Sequence, residues 1–400
     1  MQFGYNLPLL IAFFLPFGIN YAIFILVWTI CFFAFDDLGL KFKKAFKNKW
    51  SFILLGFFLI HTLTYFFSSN KTEALSAIEI KLSFLAFPIL IFASNYSEIQ
   101  IRKIVISFVS GCLIVSFICI FKAFYSYIFN DINAFFYSDF SFFMHPSYFA
   151  MYLIFSLLII ILFYKTWLAH LAFLNVKMAF MSLVFLITIF LCSSKMGLIT
   201  ALLVLPLTFF IILFNQGYKK TIVSFILGLL VSIFVAYHLF PKPFQRLNTA
   251  FTVTSNTHSI DKTDVESTAV RILIWNESLK LINENWLFGV TPGDANDQLV
   301  VSYQKEGLSG ALSKRLNAHN QFLQTFIGTG LIGIALLCIM TFGALIFSFL
   351  KKNYILSLFC ILIICNFMVE SMLQAQAGFI FFVFFFCLLS NYNFHRIIKN

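Results

Sequence analysis

The sequence predicts an all-α polytopic membrane protein, and three observations carry that prediction. Hydrophobic residues make up 61% of 400 positions and charged residues only 11%, against roughly 25% charged in soluble domains. The apolar runs are continuous rather than alternating, which excludes a β-barrel. The basic residues collect in short connections that all fall on one side. A chain with so little polar surface can satisfy its backbone in lipid only as helices.

About twelve transmembrane helices are expected. The first apolar run, Leu7–Phe35, lacks a basic leader and a small-residue cleavage site, so it is expected to be retained. It is long for one span of about 20 residues. Pro16, Phe17 and Gly18 divide it into two short tilted helices, 7–17 and 19–35. The cluster Lys41, Lys43, Lys44, Lys47 and Lys49 then marks the cytoplasmic side. Further spans are expected at 51–68, 80–94, 104–129, 146–164, 176–192, 196–214 and 221–240, and then at 321–350, 354–370 and 376–391. Arg102/Lys103, Lys165/Lys177, Lys219/Lys220, Lys351/Lys352 and Arg396/Lys399 fall on the side of the first lysine cluster. Residues 1–240 are thus nine spans and 319–400 three, with both termini inside. Residues 241–318 form one large extracytoplasmic loop, periplasmic where there is an outer membrane.

The net charge of +11 does not indicate nucleic acid. The large loop carries eight basic and eight acidic side chains and is neutral. The excess sits in the short connections, so the bilayer is the partner it implies. The eight cysteines lie within apolar segments without CxxC or Cys/His spacing, and read as small core- or lipid-facing residues. No metal and no cofactor is expected. The 58 phenylalanines read as bulk apolar filler.

Within the loop, Glu266–Asn285 reads as a helix with Arg271, Trp275, Leu279, Ile282 and Trp286 near one face. Its two tryptophans suit the headgroup layer, so it is expected to lie along the membrane. LFGVTPGD closes it with Gly and Pro turn chemistry. Pro241 and Pro243 mark the exit from the preceding span. GTGLIG, 328–333, matches a dinucleotide fingerprint only formally. No strand precedes it and it opens a membrane helix, so close packing through small residues is the better reading.

Ionisable groups mark the outer ends of several spans: Lys195 in SSKMG, His145 in MHPSY and Glu370 before SMLQAQ, with Lys122 and His61 deeper. Each alone is more often a snorkelling or paired side chain than a functional one. Several gathering on the outer side near His319 point to a site. His319, beside Asn317 and Asn320, stands where the polar loop gives way to a long apolar run. A histidine exchanges a proton near neutral pH and an arginine holds a phosphate. Together with Arg271 at a membrane surface, it suggests chemistry on a lipid-linked phosphate.

LNAHNQFLQTFIGTGLIG resembles the HN-containing signature of the bacterial O-antigen ligase and Wzy-type polymerase superfamily. RILIWNESLKLINENWLFGVTPGD resembles that superfamily's arginine–tryptophan helix and the turn after it. SSKMG, HPSYFAMY and IEIKLSFLAFPIL are similar to its members too, so the resemblance runs over essentially the whole chain.

The resemblance implies a GT-C-like membrane glycosyltransferase of the cytoplasmic membrane with its site facing the periplasm. It implies His319 as the catalytic residue and Arg271 and Lys195 on the pyrophosphate of an undecaprenyl-linked glycan donor; Asn320, beside His319, and the outer-end groups His145 and Glu370 are the candidates for supporting residues. Lys195 stands where the superfamily has an arginine, keeping the charge without the bidentate fork. GVTPG replaces the frequent GVGTG.

The chemistry fits. A glycan on a polyprenyl pyrophosphate is already activated, its departing charge suits fixed cations, and an acceptor hydroxyl needs a base of pKa about 6.5. Direct displacement gives inversion. The acceptor distinguishes three activities: lipid A–core for an O-antigen ligase, a growing glycan for a polymerase, and a protein hydroxyl for an O-oligosaccharyltransferase. A polyprenyl-glycan flippase would show internal repeats or charges through both leaflets, and neither is present.

Overall fold

The computed structural model describes residues 3–19, 21–34, 37–94, 96–167, 173–218, 262–263 and 268–392. Those residues are helical throughout, with no strand among them. The span expected at 221–240, Lys219 and Lys220, Pro241 and Pro243, and Arg396 and Lys399 lie outside the described residues.

Among the described residues, ten helices come before the large loop. They are α1 (Phe3–Phe14), α2 (Ala22–Ala34), α3 (Leu38–Lys47), α4 (Lys49–Thr64), α5 (Lys71–Ala93), α6 (Glu98–Asn130), α7 (Tyr137–Phe140), α8 (Pro146–Trp167), α9 (Leu174–Cys192) and α10 (Lys195–Asn215). In and after the loop come α11 (Thr268–Asn285), α12 (Ala295–Glu306), α13 (Ser309–Ser313), α14 (Gln321–Cys338), α15 (Ala344–Leu350), α16 (Tyr354–Phe367) and α17 (Gln376–Asn391). A π-helical turn, Ile339–Gly343, joins α14 to α15 in one membrane-length rod.

Seven of these helical stretches are long and apolar enough to cross a membrane, or up to eight if α2 and α3 count as one bent span. Three shorter apolar helices, Asn6–Phe17, Tyr354–Phe367 and Gln376–Asn391, coincide with spans expected from the sequence. The first break falls where Pro16 and Gly18 placed it. Leu15–Phe17 is a 3-10 turn ending at Gly18, whose φ of 63° suits glycine. The lysine cluster, expected as a connection, is instead the basic helix α3, capped by the Asp37 carboxylate on the amides of Gly39 and Leu40.

α8 is the axis of the bundle. Its sequence is apolar all round, the signature of a helix surrounded on every side, and residues 146–160 are buried without interruption. α6, α9, α10 and α16 pack around it. The phenylalanines read as filler form a seam here. Phe155 of α8 meets Phe108, Phe359, Phe381 and Phe385 at centroid distances of 4.8–5.8 Å, a range in which edge and tilted aromatic contacts are favourable. All eight cysteines are free and buried or half-buried, as read.

α11–α13 build a second, smaller core from Val270, Ile274, Leu281, Ile282, Leu299, Tyr303 and Leu308, closed by Ile327 of α14. The buried face of α11 is rotated from the stripe expected in the sequence. Ile282 is buried and Trp275 partly so, whereas Leu279 and Trp286 are exposed. Ile274, Ser278 and Leu281 take the inner positions.

Candidate active site

Glu370 lies in the connection between α16 and α17 and holds the site together. Its Oε1 accepts a hydrogen bond from Arg271 Nη2 at 2.9 Å. Its Oε2 stands 3.4 Å from His319 Nδ1. The side chains are 12% exposed for Glu370, 29% for Arg271 and 25% for His319. The carboxylate is therefore largely enclosed, while its two partners keep a face open to a substrate. Burial opposes the charged carboxylate, but the His319 hydrogen bond and the charges of Arg271, His319 and His145 outweigh it. The carboxyl is held below its ordinary range. An ionised carboxylate only accepts hydrogen bonds, so Nδ1 of His319 is the donor in this contact, and in the neutral ring the lone pair would fall on Nε2.

Local chemistry places His319. Asn320 caps α14, its Oδ1 accepting from the amides of Phe322 and Leu323 at 2.9 and 3.1 Å. Its Nδ2 donates to Met368 O at 3.0 Å, tying the start of α14 to the Glu370 connection. His319 takes a left-handed φ of 43° and donates its amide to Asn317 Oδ1. Ala318 is fixed on both sides, its amide on Gln324 Oε1 and its carbonyl on Trp275 Nε1, at 2.9 and 3.0 Å. Trp275 therefore pins the histidine loop to α11, one turn beyond Arg271.

The structure brings Arg271, Glu370, His319 and Asn320 together through direct bonds and the short chain of tethers just described. His145 lies near enough to Glu370 that its charge, when protonated, favours the carboxylate. Lys195 enters at one remove. Ser194 caps α10 through its Oγ on the Gly197 amide, and that Oγ lies 3.2 Å from Ser147 Oγ, two residues after His145. The SSKMG and HPSY turns are thus packed side by side. The two deeper groups have ordinary roles. His61 is buried, its Nδ1 hydrogen-bonded to Phe57 O at 2.8 Å, and Lys122 Nζ sits 3.8 Å over the Phe142 ring. Among the described residues, no group of three or more His, Cys, Asp or Glu side chains converges as metal ligands do.

The LFGVTPGD turn docks against α14 and α5. Val290 N donates to Ile327 O and Leu331 N to Leu287 O, at 2.8 and 3.1 Å. A side chain at Gly330, where φ is 60° inside α14, would strike Leu287 O at 2.4 Å. Gly328 and Gly330 thus serve close packing against the loop, whereas Gly333 faces Thr329 of its own helix. At the other end of the turn, Asp294 accepts the amides of Ser69 and Asn70, each at 2.8 Å, and the Thr291 hydroxyl at 2.9 Å. Burial opposes the charge of Asp294, but these bonds prevail and lower its pKa.

Thr291 stands at the glycine position of the expected GVGTG, and its φ is 76°. The strained threonine is held by its hydroxyl, which bonds the carboxylate and the amide of Asp294.

Sequence reasoning underrated Glu370 and missed Trp275, Gln324 and Asp294 as holders of the site. The one available signal was an isolated acid at the end of an apolar run, a costly placement that calls for a partner.

The fold and site define a multi-pass helical membrane protein with a cation, a histidine and a carboxylate gathered beside the α11–α13 subdomain. Residues 180–338 match the family model for O-antigen ligase. That segment is therefore similar to the O-antigen ligase family of membrane proteins. The match contains Lys195, Arg271, His319 and Asn320, while His145 and Glu370 lie outside it. No curated protein matches the chain.

Proposed function

We propose that the chain is an O-antigen ligase, transferring a glycan from undecaprenyl pyrophosphate to a lipid A–core hydroxyl at the periplasmic face of the cytoplasmic membrane. The observation that carries the reading is the shared carboxylate: Glu370 joins Arg271 and His319, so a phosphate-holding cation and a base are fixed at one place.

In this reading Arg271 uses its remaining donors on the pyrophosphate, with Lys195 as the second cation. His319 Nε2 takes the proton of the acceptor hydroxyl as its oxygen attacks the anomeric carbon. The bond from that carbon to the pyrophosphate oxygen breaks, undecaprenyl pyrophosphate leaves, and the configuration inverts. The leaving group is already activated and its charge is met by fixed cations, so this scheme uses neither metal nor cofactor. The topology that goes with it has twelve spans, both termini inside and residues 241–318 in the periplasm. Glu370, Asn320 and His145 support the base, and the exposed Trp286 and Phe288 suit the headgroup layer.

Deletion of the gene tests the acceptor. A ligase deletion leaves lipid A–core bare while full-length lipid-linked glycan accumulates. A single repeat unit on the core would instead assign a polymerase. An intact lipopolysaccharide with an unglycosylated protein would assign an O-oligosaccharyltransferase.

A further inference from the structure

Lys81 is a polar side chain that this scheme does not use, and it lies in the interior of the apolar helix α5. It is 1% exposed, a placement that is costly in a membrane helix and calls for a specific partner. Its Nζ donates to Leu373 O at 2.6 Å. The amide of the same residue donates to Gln321 Oε1 at 2.7 Å, and Gln321 Nε2 is itself anchored on Thr325 Oγ1 at 2.9 Å. At the other end of the connection, Met368 O is held by Asn320 Nδ2. Glu370 lies between these tethers. The connection between α16 and α17 departs from regular helix, and buried backbone outside a helix needs donors and acceptors from the surrounding protein. Only a long side chain reaches from α5 to that carbonyl, which serine, threonine or asparagine could not do.

We infer that Lys81 is a positioning residue: by holding the Leu373 carbonyl it sets the Glu370 connection at the height where one carboxylate meets both Arg271 and His319. The inference rests on the reading of Glu370 as the partner of His319. Displacing a supporting group by about 1 Å can cost 10²-fold in rate, and the 3.4 Å contact to His319 leaves little room for such a shift. Lys81 holds the Leu373 carbonyl and not a site side chain, so in this inference its loss reaches His319 through the Glu370 connection.

The test uses the purified full chain in nanodiscs, with lipid-linked glycan and acceptor extracted from a deletion strain. Lys81→Met keeps the stem and removes the donor. It is expected to lower kcat by on the order of 10–100-fold and to leave the Kd for undecaprenyl pyrophosphate alone unchanged. In a Glu370→Gln background the same substitution should have no further effect, because a residue acting through Glu370 has nothing left to position. A second readout needs no substrate: the Nδ1 proton signal of His319 in 15N-histidine-labelled protein, assigned with His319→Gln, should weaken in Lys81→Met as in Glu370→Gln. If Lys81→Met does not accumulate, Gln321→Met frees the amide of Leu373 and is read the same way. Wild-type kcat, losses that multiply with Glu370→Gln, or an unchanged His319 signal would each overturn the inference. A wild-type chain that transfers no glycan, yet loses the signal on Lys81→Met, would sink the transferase reading and leave this one standing.

Discussion

Glu370→Gln separates a carboxylate that works in the reaction from one that merely fills a pocket. Glutamine keeps the shape but offers one acceptor oxygen in place of two, so it cannot serve Arg271 and His319 together. The His319 ring is then no longer held with its proton on Nδ1 and its lone pair on Nε2. Loss of that tautomer control costs as much as ~10⁴-fold in a serine protease triad. Here the contact is 3.4 Å, long for a charge-assisted bond, and a smaller loss is expected: on the order of 10²-fold in kcat, or about 2.7 kcal/mol.

Stability should change less. Arg271 is 29% exposed and can be rehydrated, so losing its partner costs about 1 kcal/mol. The sign of the pH dependence follows from the lowered pKa of Glu370. Its stabilisation is fully present above the ordinary carboxylate range of about 4.3 and disappears only as pH falls through its lower folded value. Above the ordinary carboxylate range, the part of the stability difference between wild type and Glu370→Gln that comes from the titration of Glu370 itself should therefore not vary with pH. The assay is the initial rate of transfer from lipid-linked glycan, with KM for the donor and a melting curve on the same preparation. A kcat within experimental error of wild type, in a folded protein, would refute the assignment of Glu370 as the partner of the base.

The other side chains give further outcomes. Arg271→Ala should raise KM for the lipid-linked donor and lower kcat, each tenfold being about 1.4 kcal/mol of lost transition-state stabilisation, with protein levels unchanged in membranes. Lys195→Arg should retain activity and Lys195→Ala lose most of it; wild-type turnover by both alanine variants would remove these cations from the pyrophosphate site. Asp294→Ala leaves the amides of Ser69 and Asn70 without their acceptor, at about 1–3 kcal/mol each if they stay dry. Differential scanning should show a clearly lower Tm. Because the pKa of Asp294 is lowered, that deficit should be constant at neutral pH and shrink only as the wild type is acidified below the ordinary carboxylate range.

The membrane class and the break at Pro16–Gly18 were legible because they depend on local composition. Arg271 and His319 could be singled out because their residue types suit the proposed chemistry, and their proximity to each other follows only from the fold. The bridge between them was not legible. Glu370 is 99 positions from Arg271 and 51 from His319, and only packing brings them together. The packing of α11 was not legible, because Trp275 is held to Ala318 O by its indole N–H, a polar contact that an apolar stripe does not contain. Thr291 shows the same limit: a β-branched residue gives no local hint of a positive φ, and its conformation follows from Asp294 three positions on. The lysines of α3 read correctly as charge and incorrectly as connection, since Asp37 supplies a helix cap just ahead of them.

The most direct test of the central claim is the pH–rate profile of purified His319→Gln beside wild type. Glutamine retains bulk and hydrogen bonding and cannot accept the acceptor's proton. The account predicts that wild-type activity falls as pH drops over the range in which the base becomes protonated, because a protonated imidazole cannot take the acceptor's proton. It predicts that His319→Gln is nearly inactive at every pH while still binding undecaprenyl pyrophosphate. Full activity of the folded glutamine variant across that range would contradict it and leave His319 as a structural turn at the head of α14.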